Sequence, residues 1–179
     1  MSYRRLTLLL ALLALLGGAG GIQAQSPDDA TIAKQFVGMW RLASWTRLYE
    51  GDRSEQEPRS ISYLIYTDSD HMCWVAMDPD RTPWVSPDEP TEAEELAAFR
   101  GLGTYCGTVE INVAEGYVVH HVEIGRQPNA VGTDRKRWFV FDGSDRLTLR
   151  VNADELVPPM IDNYLVWERV SDDHDFSLD

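Results

Sequence analysis

Residues 117–141, YVVHHVEIGRQPNAVGTDRKRWFVF, constrain the fold more than any other stretch of the chain. Successive side chains of a strand point to opposite faces, so residues two apart share one. Over 117–124 this groups Val118, His120, Val122 and Ile124 on a mostly apolar face, and Tyr117, Val119, His121 and Glu123 on a more polar one. Residues 125–131 are polar and read as a connecting loop. Over 132–141, Phe139 and Phe141 set the apolar parity, and Arg135 and Arg137 fall on the same face. Two long paired strands are therefore expected, each turning a titratable or cationic side chain toward an apolar interior. Such groups are costly in a packed core unless they are partnered, so the pattern argues for an interior cavity.

The same period-two reading gives six more strands, at 38–49, 60–67, 71–77, 102–113, 145–151 and 163–170. In the first of them Trp40, Leu42 and Ser44 share a face. Asp68-Ser69-Asp70, Ala114-Glu115-Gly116 and Asp142-Gly143 are turns, because short polar side chains bond their own backbone there and glycine accepts a positive φ. Residues 51–59 read as a charged loop closed by Pro58, 157–162 as a loop, and the proline-rich 78–90 as a loop lying across a mouth. Thr91 stands three residues before Glu94, a capping-box spacing, and opens the helix-forming run EAEELAAFR, which Gly101 stops. A shorter helical lead-in is expected over 31–36, within a linker at 25–35, and the acidic tail 171–179 is expected to be disordered. The sum is an all-β domain at 36–170: eight antiparallel strands in sequence, with one helix inserted between strands 3 and 4. Eight such strands close into an up-and-down barrel, which removes exposed edges and leaves room for side chains and one small ligand. A flat two-sheet sandwich is the alternative.

A chain of 179 residues suits one domain with a sizeable core. Its net charge of −13 argues against nucleic acid and anionic lipid as partners. Arg4 and Arg5, the apolar run 6–16 and a small residue at Ala24 form the pattern of a secretory signal, residues 1–24, too short an apolar run to favour a spanning helix. A retained N-terminal anchor is the other reading. Cleavage after Ala24 would give a periplasmic or secreted chain without stable membrane insertion, and would remove two arginines, −13 − 2 = −15. In an oxidising compartment Cys73 and Cys106 read as a disulfide or as two buried thiols. Neither has a CxxC neighbour, so no zinc or redox site is expected.

Five runs in order, FVGMWRLASW, SYLIYTDSDHM, AAFRGLGTYCGTVEI, VVHHVEIGRQPNAVGTDRKRWF and YLVWERV, resemble the lipocalin-like proteins of bacteria and fungi, a divergent branch of the lipocalin barrels. The resemblance covers 36–170 and implies an eight-stranded barrel with an internal cavity. It implies no single function, since relatives include carriers of hydrophobic ligands and some cyclases and isomerases. Trp40 resembles the tryptophan of the lipocalin GxW motif. There that ring closes the floor and packs on an arginine near the end of the last strand. Arg169, on one face with Leu165 and Trp167, fits the arginine's place through cation–π stacking.

His120 is the leading candidate for a functional group. Between Val118 and Val122 it points inward, where burial would keep the imidazole neutral and able to orient or exchange a proton. It also reads as a core histidine satisfied by a hydroxyl or carbonyl. His121 is expected to face solvent beside Glu123, and the two adjacent histidines point to opposite faces, so they do not chelate a metal. Arg137 must meet either a ligand's acidic group or a partner in the wall. Tyr66 and Tyr105 are candidate polar contacts, and Trp74, Phe139 and Phe141 candidate walls. Asn129 belongs to a rim loop, and Asp78 and Asp80 to a turn. There is no nucleophile elbow, phosphate loop or dinucleotide fingerprint, and no cofactor is expected. Three functions follow: binding of a small, largely hydrophobic molecule; a cofactor-independent isomerase, cyclase or lyase with His120 as acid or base; or a filled barrel acting as an interaction module.

Overall fold

The computed structural model describes residues 27–56 and 60–171. The expected signal at 1–24 and the tail beyond Ser171 lie outside the described residues. Nine strands run in chain order: β1 (Gly38–Tyr49), β2 (Asp52–Gln56), β3 (Ile61–Tyr66), β4 (His71–Met77), β5 (Leu102–Asn112), β6 (Tyr117–Gly125), β7 (Asp134–Asp142), β8 (Arg146–Val151) and β9 (Met160–Arg169). All pairings are antiparallel. From β3 to β9 each strand pairs with the next, and β1 joins β3 to β9, so eight strands close into a barrel. The sandwich alternative is thereby excluded.

The ninth strand, β2, pairs with the second half of β1. The segment was expected to be loop, because DRSEQ has no apolar alternation. Backbone pairing along β1 supplies what the pattern lacks. Two helices complete the chain, α1 (Pro27–Phe36) and α2 (Glu92–Arg100). α1 begins earlier than the lead-in read from the sequence. Proline is at ease in the first position of a helix, where its missing N–H has no helical partner, and Asp29 follows in the first turn, at the positive end of the helix dipole.

α2 lies between the third and fourth barrel strands, as expected, with the Thr91–Glu94 capping box formed. Its residues are not buried. Glu94 also accepts from Val85 N at 2.9 Å, which ties the proline-rich loop to the helix. Among the described residues no helix is long and apolar enough to cross a membrane.

The two ends of the barrel differ. At one end α1 inserts Phe36, fully buried, whose ring lies 4.9 Å from those of Phe139 and Phe141 and 5.3 Å from that of Tyr66. Trp40, also fully buried, donates from Nε1 to the Phe36 carbonyl at 2.8 Å. The Arg169 guanidinium sits 4.1 Å from the Trp40 ring and donates to the carbonyls of Gln35 and Val37 at 2.6 and 2.9 Å. A cation thus caps the carbonyl end of α1 and stacks on the tryptophan at once. This is the floor. The other end is framed by the connections β1–β2, β4–α2–β5, β6–β7 and β8–β9.

Cys73 and Cys106 stand opposite one another on β4 and β5 and are joined as a disulfide, which resolves the two readings of the pair.

Two bulges reverse faces that the sequence pattern had assigned. In β1 the register to β9 shifts between Leu42 and Ser44, so Trp45 rather than Ser44 lines the interior. In β6 the register to β5 shifts at Cys106/Gly107, after which Ile124 turns outward, 66% exposed. Gly107 permits this: a Cβ there would collide with the backbone carbonyl of His121.

Candidate functional site

Above the floor lies a cavity of about 260 Å³. Trp45, Leu64, Trp74, Leu149, Leu165 and Trp167 form its apolar wall. The polar lining comes from Thr104, Tyr105, His120, Arg126, Gln127, Arg135, Arg137 and Asn163. Both β6 and β7 keep the expected parity here, so His120, Arg135 and Arg137 all reach the interior.

His120 is 1% exposed and held from both sides. Its Nε2 is 2.8 Å from the Tyr66 hydroxyl and its Nδ1 3.0 Å from the Tyr105 hydroxyl. Burial, reinforced by the positive charge of Arg137 and by His121, lowers its pKa to about 3, so the ring is neutral. Burial likewise raises both tyrosine pKa values, and each phenol keeps its proton. The structure combines the two readings of His120: it is satisfied by hydroxyls and it faces a cavity.

Arg137 meets a carboxylate of the protein itself. Its Nη1 lies 2.8 and 2.9 Å from the two Glu155 oxygens and donates to the Lys136 carbonyl at 2.6 Å. Arg135 approaches the same carboxylate at 3.6 Å. Glu155 sits in a short 3-10 turn, Ala153–Glu155, between β8 and β9. Nothing periodic marks that turn, and the sequence placed no carboxylate at the cavity. The ligand partner considered for Arg137 is therefore preceded by a wall partner.

The remaining candidates separate. Trp74 and Tyr105 line the cavity, with ring centroids 5.4 Å apart. Tyr66 lies just beneath it, reaching it only through His120. Phe139 and Phe141 pack on Phe36 at the floor and are not part of the lining. Asn129 is exposed in the β6–β7 turn. His121 faces outward, its Nδ1 2.7 Å from Asp134. Asp78 accepts from the Asp80 backbone at 2.9 Å, as a turn residue does.

Several lining residues were not singled out from the sequence. Trp45 was on the wrong side of the β1 bulge, and its Nε1 donates to Asn163 Oδ1 at 2.6 Å. Arg126 follows the last strand residue of β6, bonds the Phe99 carbonyl of α2 at 2.8 Å and covers the Phe99 ring at 4.8 Å. Trp167 carries an Nε1 that is buried with no partner among the described residues. Its inward parity was legible, since it shares a face with Leu165; its missing acceptor was not. Among the described residues no three His, Cys, Asp or Glu side chains gather as metal ligands do.

An inward-facing neutral imidazole, two phenols and a cluster of guanidinium groups, set in an aromatic wall, can orient a polar group on an otherwise apolar molecule. No curated protein matches the chain. The family model for the lipocalin-like domain matches residues 37–170.

Proposed function

Because the chain belongs to the lipocalin-like domain family, we propose that it is an exported barrel that binds one small, largely hydrophobic molecule in its interior. The observation that carries this reading is the cavity of about 260 Å³, just below the ~300–1,000 Å³ usual for small-molecule sites, with polar groups gathered on a mainly apolar lining. Export draws its support from the signal-like pattern ending at Ala24.

Native mass spectrometry of the chain purified from its own host without detergent tests both parts. The intact mass is expected to correspond to cleavage after Ala24. It is expected to carry a reproducible extra mass that organic solvent releases and that Val151→Trp, which fills the cavity, abolishes. A chain without extra mass in every preparation would remove the carrier reading.

The neutral His120 between two phenols favours one second reading, a cofactor-independent isomerase, cyclase or lyase in which the imidazole moves a proton. His120→Ala separates the two. A binder keeps its ligand affinity within about tenfold, because one hydrogen bond among several is lost. An enzyme loses turnover with affinity intact, measured on the molecule that native mass spectrometry identifies.

A further inference from the structure

The polar groups around the cavity do not balance: once their bonds within the protein are assigned, protons without acceptors predominate. The Tyr66–His120–Tyr105 chain sets the direction. A neutral imidazole has one N–H and one bare nitrogen. Tyr66 is 2% exposed, lies outside the cavity lining and has the imidazole as its hydroxyl's partner. Its proton therefore goes to Nε2, since no other arrangement gives that buried hydrogen an acceptor. The imidazole proton is then on Nδ1 and goes to the Tyr105 oxygen. That leaves the Tyr105 hydroxyl proton directed at the cavity that the residue lines.

Three further groups add to the surplus. Trp167 Nε1–H is buried without an acceptor, in a residue 2% exposed that lines the cavity. Arg126 Nε–H is also buried without one. Asn163 uses its carbonyl oxygen for Trp45, so its amide protons are what it has to offer. Charge runs the same way. Among the described residues Arg126, Arg135 and Arg137 line the cavity and no carboxylate does, and Glu155 answers two of the three, which leaves 3 − 1 = 2 positive charges. This occurs inside a chain whose formal charge is −13.

Thr104 and Gln127 also line the cavity and bring acceptors, but the surplus is of donors and positive charge, and such a site is complementary to a group that accepts and carries negative charge. An ionised carboxylate is that group: two oxygens, about four lone-pair directions and no proton. Volume bounds the rest of the molecule. An apolar cavity of ~150 Å³ holds benzene. By the same measure 260 Å³ holds one ring with a carboxylate and a short spacer, about ten heavy atoms. A long acyl chain would have to project past the rim into solvent. Trp45, Trp74 and Leu165 provide flat and branched apolar surface for the ring.

We infer that the cavity takes a compact monocarboxylate with a ring-sized apolar body, bound as its anion, and rejects the amide and the alcohol of the same shape. This rests on the ligand-binding reading above and narrows it to a chemical class. An amide would set its N–H₂ against groups that are already donors, and an alcohol would leave most of them unanswered.

Ligand-observed NMR titrations of the full mature chain at neutral pH test the inference with four probes: phenylacetate, hydrocinnamate, phenylacetamide and phenethyl alcohol. The two carboxylates are expected to bind at least about tenfold more tightly than the amide or the alcohol. Arg135→Gln, which leaves the Arg137–Glu155 pair in place, and Tyr105→Phe, which removes only the hydroxyl, are each expected to weaken phenylacetate about tenfold. Both are expected to leave phenethyl alcohol within about twofold, a control that a variant with a damaged fold would fail. Amide or alcohol binding as tightly as the carboxylate, or phenylacetate unmoved by both variants, would overturn the carboxylate assignment and leave the small-molecule reading standing. Failure of all four probes would overturn the assignment too, and native mass spectrometry without an adduct would take the broader reading with it.

Discussion

Trp40→Ala is expected to remove about 3–5 kcal/mol of folding stability, the usual cost of truncating a buried tryptophan. The upper end is expected here, because three interactions go together. The ring is fully buried, its indole N–H serves the last carbonyl of α1, and the Arg169 guanidinium lies over it. Losing the ring also frees the guanidinium that holds α1 over the barrel end, so Phe36 loses part of its support. A domain of this size has roughly 5–15 kcal/mol in total, and at a mid-range urea dependence of about 2 kcal/mol per molar the unfolding midpoint should fall by roughly 1.5–2.5 M. Trp138→Ala is the control. That ring is 39% exposed on the outer face, and its loss should cost about 1 kcal/mol or less. Equal midpoints for the two variants would mean that the floor does not carry the fold.

Acidification should unfold the protein through His120. The unfolded imidazole titrates near 6.5 and the folded one near 3, so between these values the unfolded chain binds the extra proton. Stability from this group is complete above the unfolded value and is lost as pH falls toward the folded one. Each unit in that window removes about 1.4 kcal/mol. From neutrality to about pH 5 the loss is about 2 kcal/mol, a figure set almost wholly by the unfolded value because the folded ring is still unprotonated there. His120→Gln should flatten the dependence over this range, since an amide can accept from Tyr66 and donate to Tyr105 without titrating. Chemical denaturation of both proteins across this range measures it. Parallel slopes would show that His120 is not the group responsible.

The eight barrel strands and α2 were legible because their punctuation is chemical, whereas β2 was not. Turn residues at Asp68–Asp70 and Asp142-Gly143, and the capping box at Thr91, mark boundaries that the barrel keeps. The inward histidine and arginines were legible because β6 and β7 hold their register from Tyr117 to His121, the span that carries His120, Arg135 and Arg137. Elsewhere parity failed where a bulge added a residue. Ser44 and Trp45 exchanged faces, and Ile124 went outward. Gly107 within a strand pattern was the available sign of the second bulge, since glycine there often marks one. No comparable sign marks the first. Glu155 could not be read at all: a carboxylate in an aperiodic turn finds Arg137 only once β8 and β9 are placed around it. The aromatic pair Phe139 and Phe141 had the right face but the wrong height, because α1 fills the barrel end beside them.

The first strand carries a further consequence. One edge of β1 pairs with β9 throughout, but that ladder skips a residue between Leu42 and Ser44. The added residue is Ala43, and it sits just below Trp45. A bulge bends the strand that carries it and sharpens its twist. The upper half of β1 is thereby re-aimed: an indole rather than a serine hydroxyl closes this side of the cavity, and the wall gains flat apolar surface through one extra backbone unit instead of a change of residue type.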